Sequence, residues 1–145
     1  MKNEKDSVAT TPLEIILRPI GVIRSPVTEP AQAPRQGEEA AVRGQLIVEE
    51  RYREGLLGIE EGSKVVIVYW MHLAGRDVLQ VHPRGDPGRP VRGVFSTRSP
   101  QRPNPVSLQV VEVTRVRGAV IDVIGLDAVD GTPLLDIKCI LGDSV

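Results

Sequence analysis

Apolar residues in this chain fall in short β-branched runs divided by turn-forming residues, and almost nowhere at helical spacing. The runs are Ile15 to Ile23, Gln45 to Val48, Val65 to Trp70, Val94 to Ser96, Leu108 to Val116, Val120 to Ile124 and Leu134 to Ile140. Alternation in the fifth puts Leu108, Val110 and Glu112 on one face and Gln109, Val111 and Val113 on the other. Val65 to Trp70 is apolar on both sides, as a strand covered twice would be. Arg117-Gly118 joins two runs tightly enough for an antiparallel hairpin. Only Val48 to Ile59 holds room for a helix, of two turns, ended at Gly58. The pattern predicts an all-β fold, a small closed or partly open antiparallel β-barrel of about seven strands with long loops and at most one short helix.

A chain of 145 residues, 41% hydrophobic, has material for one core and little for a second. We expect a disordered tail over 1–13 and one barrel domain over 14–145. No apolar run reaches the roughly 18–20 residues of a membrane span, and the polar start lacks a signal-peptide core. The one cysteine, Cys139, has no partner for an internal disulfide and lies in an apolar run that reads as core. The expected location is the cytoplasm, with no membrane association. Net charge is −1, with arginines (14 of them) far outnumbering lysines (4). Between Arg76 and Arg102 six arginines (76, 84, 89, 92, 98, 102) face two aspartates (77, 86), a local excess that admits an anionic partner.

Three long loops separate the runs: Thr28 to Arg43, Leu73 to Arg92 and Ser96 to Pro105. Loops of this length are functional or disordered. In GVFSTRSPQRPNPV (93–106), Pro100, Pro103 and Pro105 stiffen a segment carrying Ser96, Thr97, Arg98, Ser99, Arg102 and Asn104. That is either a preorganised polar site or a rigid crossover. In LDAVDGTPLLD (126–136), Asp130-Gly131 marks a turn and Thr132-Pro133 restarts a strand. Asp127 and Asp130 lack the spacing and histidine company of a metal site, so no metal is expected. In APRQG (33–37), Arg35 and Gln36 offer a charge and an amide. His72 and His82 fit neither a metal motif nor a nucleophile motif. Tyr69 and Trp70 read as core, with faces that could meet a cation.

PRQG at 34–37, GVFSTRSPQRPNP at 93–105 and LDAVDGTPLLDIK at 126–138, in this order, closely resemble the TsaA-like proteins, which include the TrmO methyltransferases of N6-threonylcarbamoyladenosine in tRNA. PIGVIRSP at 19–26 matches the family's first strand, so the likeness runs from about Pro19 to Lys138. It implies a β-barrel that binds S-adenosyl-L-methionine, a homodimer with the cofactor near the subunit interface, and tRNA as partner. Carried over by position, the cofactor contacts are Pro34, Arg35, Gln36, Trp70, Met71, Arg98, Leu108, Val129, Asp130, Gly131 and Thr132. No catalytic residue or general base is assigned. Two departures stand out. The family's NPIG reads NPVS here, with Ser107 for glycine, and its DIKPY reads DIKCI at 136–140. Longer bacterial members continue into a further domain. Methyl transfer to the tRNA nucleoside is the leading expectation. Methyl transfer to a small molecule and a non-catalytic S-adenosylmethionine sensor are the alternatives.

Overall fold

A computed structural model describes residues 13–30, 42–142 and 145. Its strands are β1 (Gly21–Arg24), β2 (Arg43–Val48), β3 (Lys64–Trp70), β4 (Gln80–Val81), β5 (Arg92–Gly93), β6 (Val106–Arg117), β7 (Val120–Ile124) and β8 (Thr132–Cys139). Six of them close into an antiparallel barrel in the order β1-β2-β7-β6-β3-β8, and β4 and β5 form a separate two-stranded ribbon. Closure leaves no unpaired sheet edge in the barrel.

The period-two pattern explains which side chains fill it. Ile23, Leu46, Val48, Val65, Ile67, Tyr69, Val111, Val113, Ile121, Val123 and Leu134 project into one core, joined by Leu126 and Ala128 from the β7–β8 connection. Burying each aliphatic side chain is worth roughly 1.5–3 kcal/mol. Val111 and Val113 are buried while Val110 and Glu112 are exposed, as the alternation predicts. Val65, Val66 and Ile67 are buried in succession, so β3 is indeed covered on both faces. β6 and β7 meet in a hairpin whose loop is Gly118-Ala119, with Gly118 at φ +62°. Glycine is required where β1 and β2 crowd together. A Cβ on Gly44 would lie 2.2 Å from the Arg24 carbonyl oxygen and 2.5 Å from Leu126 Cδ1.

Several expectations change. Val94–Ser96 is a 3-10 turn rather than a strand. Local bonds win there: Thr97 N–H and Oγ1 both donate to the Val94 carbonyl, and Ser96 Oγ donates to that of Gly93. Ile15–Leu17 lie exposed outside any strand, and β1 begins only at Gly21. The helical segment is a single 3-10 stretch, Glu50–Leu56, followed by Gly58 at φ +98°. Cys139 is exposed rather than in the core, because it occupies the outer end of β8.

The ladders place three connections at one end of the barrel. Ile23 pairs with Thr132, Arg43 with Ile124 and Trp70 with Val106. The segments 71–105 and 125–131 therefore emerge together beside the described ends of the β1–β2 connection, residues 25–30 and 42, and in sequence each of the three connections carries one of the motifs. The β2–β3 connection and the β6–β7 hairpin lie at the other end.

Candidate active site

The connection 71–105 is the largest structure at this end, and two arginines hold it in shape. Arg102 aims its guanidinium inward, donating from Nε to the Ser99 carbonyl (2.9 Å) and from Nη2 to those of Thr97 (2.8 Å) and Val94 (2.5 Å). Arg76 stacks over the Trp70 ring at 5.1 Å and donates to the Pro103 carbonyl (2.6 Å) and Asn104 Oδ1 (3.0 Å). Gly75 donates its N–H to Gln101 Oε1 and accepts from Arg102 N–H. The prolines limit the conformations of this loop, and the two guanidiniums select one of them. Trp70 thus does meet a cation, but one supplied by the chain itself.

The second wall is the turn 127–132. Thr132 donates both N–H and Oγ1 to the Val129 carbonyl, and Gly131 takes φ +82°. Asp130 faces the end of β1, where Oδ1 accepts the Ser25 N–H at 3.0 Å and Oδ2 lies 3.6 Å from Arg24. The Asp130 and Gly131 N–H groups donate to the Val27 and Ile23 carbonyls, so this turn is pinned to β1.

Between the walls opens a cleft of about 920 Å³. On its floor Tyr69 donates its hydroxyl to Asp127 Oδ1 at 2.5 Å, and Asp127 N–H donates to Gln109 Oε1. Ser107 stands opposite Tyr69 in the β3–β6 ladder and also lines the cleft. A bulge interrupts the β3–β8 ladder between Val68 and Tyr69, beside this group. Burial pushes the Asp127 carboxyl above the usual carboxylate range, even though the Tyr69 hydroxyl opposes the shift. Burial and the Asp127 charge together raise the Tyr69 hydroxyl, so it stays protonated and remains the donor. At the rim stand Arg84, Arg89, Arg92 and Arg98 with His72 and His82. Arg98 is exposed and has no ion-pair partner among the described residues, whereas Arg89 faces Asp86 at 3.6 Å. Arg84 holds a left-handed backbone at φ 57°, a conformation that side-chain-bearing residues rarely adopt.

The structure brings Met71, Arg98, Val129 and Thr132 to the cleft lining. Trp70, Leu108, Asp130 and Gly131 are outside the lining. Trp70 is under Arg76, Leu108 pairs with Val68 in the sheet, and Asp130 and Gly131 are engaged with β1. Pro34, Arg35 and Gln36 lie outside the described residues, beyond Pro30 at the cleft edge. Sequence reasoning missed the Tyr69–Asp127 pair. Tyr69 is in the core as expected, but its hydroxyl was given no partner, and the aspartates of the 126–136 turn were weighed for metal, for a backbone bond or for a ribose or adenine edge, never for a tyrosine. The available signal was a lone hydroxyl on an otherwise apolar strand, since a buried tyrosine must find a partner. No cluster of histidine, cysteine and acidic side chains fit to hold a metal ion occurs among the described residues.

Residues 22–143 match the family model of the tRNA-methyltransferase O N-terminal domain. The chain belongs to this family. The TrmO family uses S-adenosyl-L-methionine and its members are methyltransferases, as the motifs imply. A probable S-adenosyl-L-methionine-binding protein of Methanothermobacter thermautotrophicus is 46% identical over 126 residues, 87% of this chain and 90% of that protein. An S-adenosyl-L-methionine-binding protein of Archaeoglobus fulgidus is 44% identical over 124 residues, covering 86% and 88% respectively. The crystal structure of TrmO from Pseudomonas aeruginosa superposes with a TM-score of 0.71 at 30% identity, covering 92% of this chain. This chain spans only 60% of that TrmO chain.

The cleft suits the TrmO cofactor. Its volume falls in the range of roughly 300–1,000 Å³ common for small-molecule sites. Met71, Ala128 and Val129 supply apolar wall, Arg98 an exposed cation and Asp127 a carboxylate. Among the described residues no helix is long and apolar enough to cross a membrane.

Proposed function

We propose that this protein methylates tRNA at the N6-threonylcarbamoyladenosine beside the anticodon, with S-adenosyl-L-methionine as donor. The observation that carries the reading is one cleft with a cationic rim of Arg84, Arg89, Arg92 and Arg98 above a half-buried carboxylate bonded to a buried tyrosine hydroxyl. The rim fits a polyanion, and the floor fits a small polar reaction centre. When bound, the cofactor supplies an electrophilic methyl group. Arg98 pairs with its carboxylate through charge-assisted hydrogen bonds. The turn Val129 to Thr132 supports the nucleoside end, with Asp130 and Gly131 acting by fixing that turn to β1. Met71 contributes apolar wall, and Trp70 and Leu108 act from behind it. Pro34, Arg35 and Gln36 complete the set on the strength of their match to the family motif.

The working form in this reading is a cytoplasmic homodimer. Leu73, Leu79, Val91 and Phe95 are exposed on the connection that builds the cleft, and a second subunit would shelter both them and the ligand. Sedimentation should give a dimer at micromolar concentration, and a monomer that still binds cofactor tightly would overturn this part. The enzymatic reading is tested by incubating the protein with cofactor and tRNA bearing the threonylcarbamoyl modification, then digesting to nucleosides for mass spectrometry. A methylated form of that nucleoside is expected. Cofactor binding without any change in the tRNA would refute the assignment.

A further inference from the structure

We infer that Asp127 is the general base that removes the acceptor's proton, with Tyr69 as its positioning residue. The inference rests on the methyltransferase reading above and extends it to the acceptor's chemistry, which must include an N–H group. Asp127 Oδ1 is occupied by the Tyr69 hydroxyl and its backbone N–H by Gln109 Oε1, which fixes the carboxyl plane. Among the described residues no other side chain bonds Oδ2, and Asp127 lines the cleft. No fully buried side-chain polar atom among the described residues lacks a partner, so an unpartnered Oδ2 on this cleft-lining residue is not sealed from solvent. Asp130, the other carboxylate of the turn, is excluded by its bonds to Ser25 and Arg24. Burial raises the basicity of Asp127, the direction that favours proton abstraction by a general base.

The step balances as follows. The acceptor nitrogen uses its lone pair to form a bond to the methyl carbon. The carbon–sulfur bond breaks with its electron pair on sulfur. The N–H proton passes to Asp127 Oδ2 and leaves to solvent after product departs. Neutral nitrogen and cationic sulfonium thereby give neutral methylated nitrogen, neutral thioether and one proton. Tyr69 keeps its own proton throughout and directs Oδ2, rather than Oδ1, toward the cleft.

Asp127→Asn tests this directly, because asparagine keeps an oxygen for the Tyr69 hydroxyl and loses only the basic site. Calorimetry should show unchanged cofactor affinity, and turnover should fall by about 10²–10⁴-fold, the usual contribution of a general base. Tyr69→Phe removes a bond that holds the Asp127 pKa down, so the acidic limb of its pH–rate profile should move to higher pH. Other charged groups lining the cleft are His72, His82, Arg84, Arg89, Arg92 and Arg98. The assignment is therefore made by following the Asp127 carboxyl resonance through the same titration, in wild type and in Tyr69→Phe. Lost cofactor affinity in Asp127→Asn would make Asp127 a binding group and overturn the inference. So would retained turnover beside an active wild type. Should Asp127→Asn fail to fold, an unmoved limb and resonance in Tyr69→Phe would overturn it. A wild type that modifies no tRNA refutes the proposed function itself and is read before any variant.

Discussion

Replacing Arg102 by alanine should loosen the cleft wall without unfolding the barrel. The guanidinium donates to the carbonyls of Ser99, Val94 and Thr97, which all belong to the segment it closes. A hydrogen bond to a charged group is worth roughly 1.5–3 kcal/mol, so three would sum to more than most single substitutions cost. The sum overstates the loss, because the site is only part-buried and water reaches the freed carbonyls. We expect about 2–3 kcal/mol, close to one such bond at full strength plus the loss of cooperative closure. The reporter is the Thr97 amide, which donates to the Val94 carbonyl at 3.1 Å. Its hydrogen-exchange protection should fall by about 30- to 150-fold, since each 1.4 kcal/mol is a factor of ten. Amides of Val66 and Ile67 in β3 should keep their protection. Arg102→Lys should recover only part of the loss, because a point charge cannot reach three carbonyls as a planar fork does. Unchanged exchange at Thr97 in Arg102→Ala would show that the prolines alone hold the loop and refute the argument.

Arg98→Ala should leave the melting temperature unchanged and weaken cofactor binding by about tenfold to a hundredfold, the worth of one charge-assisted hydrogen bond; calorimetry measures it. Arg84→Gly should cost no stability, because glycine accepts the left-handed backbone that Arg84 occupies at φ 57°. Combined with Arg89→Ala it should flatten the log–log salt dependence of tRNA binding by about one to two units. Asp122 is the acid-sensitive group of the barrel wall. Burial pushes its carboxyl up, but bonds from Arg117 and Gln45 outweigh that and hold it below the usual carboxylate range. A depressed folded-state pKa contributes stability above the unfolded value and loses it as pH falls through the folded one. Asp122→Asn should thus cost less than about 1 kcal/mol in urea unfolding at neutral pH, and nothing once both states are protonated.

Much of the barrel was legible because its signal is local and periodic. β2, β3, β6, β7 and β8 each contain or overlap an apolar run, and inward positions follow from alternation. The misread elements share a physical cause. Val94–Ser96 has the composition of a strand, but hydroxyls at 96 and 97 capture its backbone before a ladder can. Ile15–Leu17 are apolar, yet pairing of β1 with β8 starts at Gly21. The site was legible as motifs but not as roles. Arg98 and Arg102 are alike in sequence, and only the fold turns one into the cleft and the other into carbonyls. Asp127 and Asp130 divide in the same way, since β1 captures one and leaves the other to Tyr69.

β3 and β6 are adjacent antiparallel partners, so the connection 71–105 that builds most of the cleft is, topologically, an enlarged hairpin loop. Its ends are held at the spacing of a strand pair whatever lies between them. Lengthening such a loop adds closure entropy only logarithmically, about 0.6 kcal/mol per doubling. Acceptor choice can therefore diverge among relatives by rewriting one insertion, while the barrel and the 125–131 turn stay unchanged. A chimera carrying another member's connection between Trp70 and Val106 is the natural way to move specificity from one protein to the other.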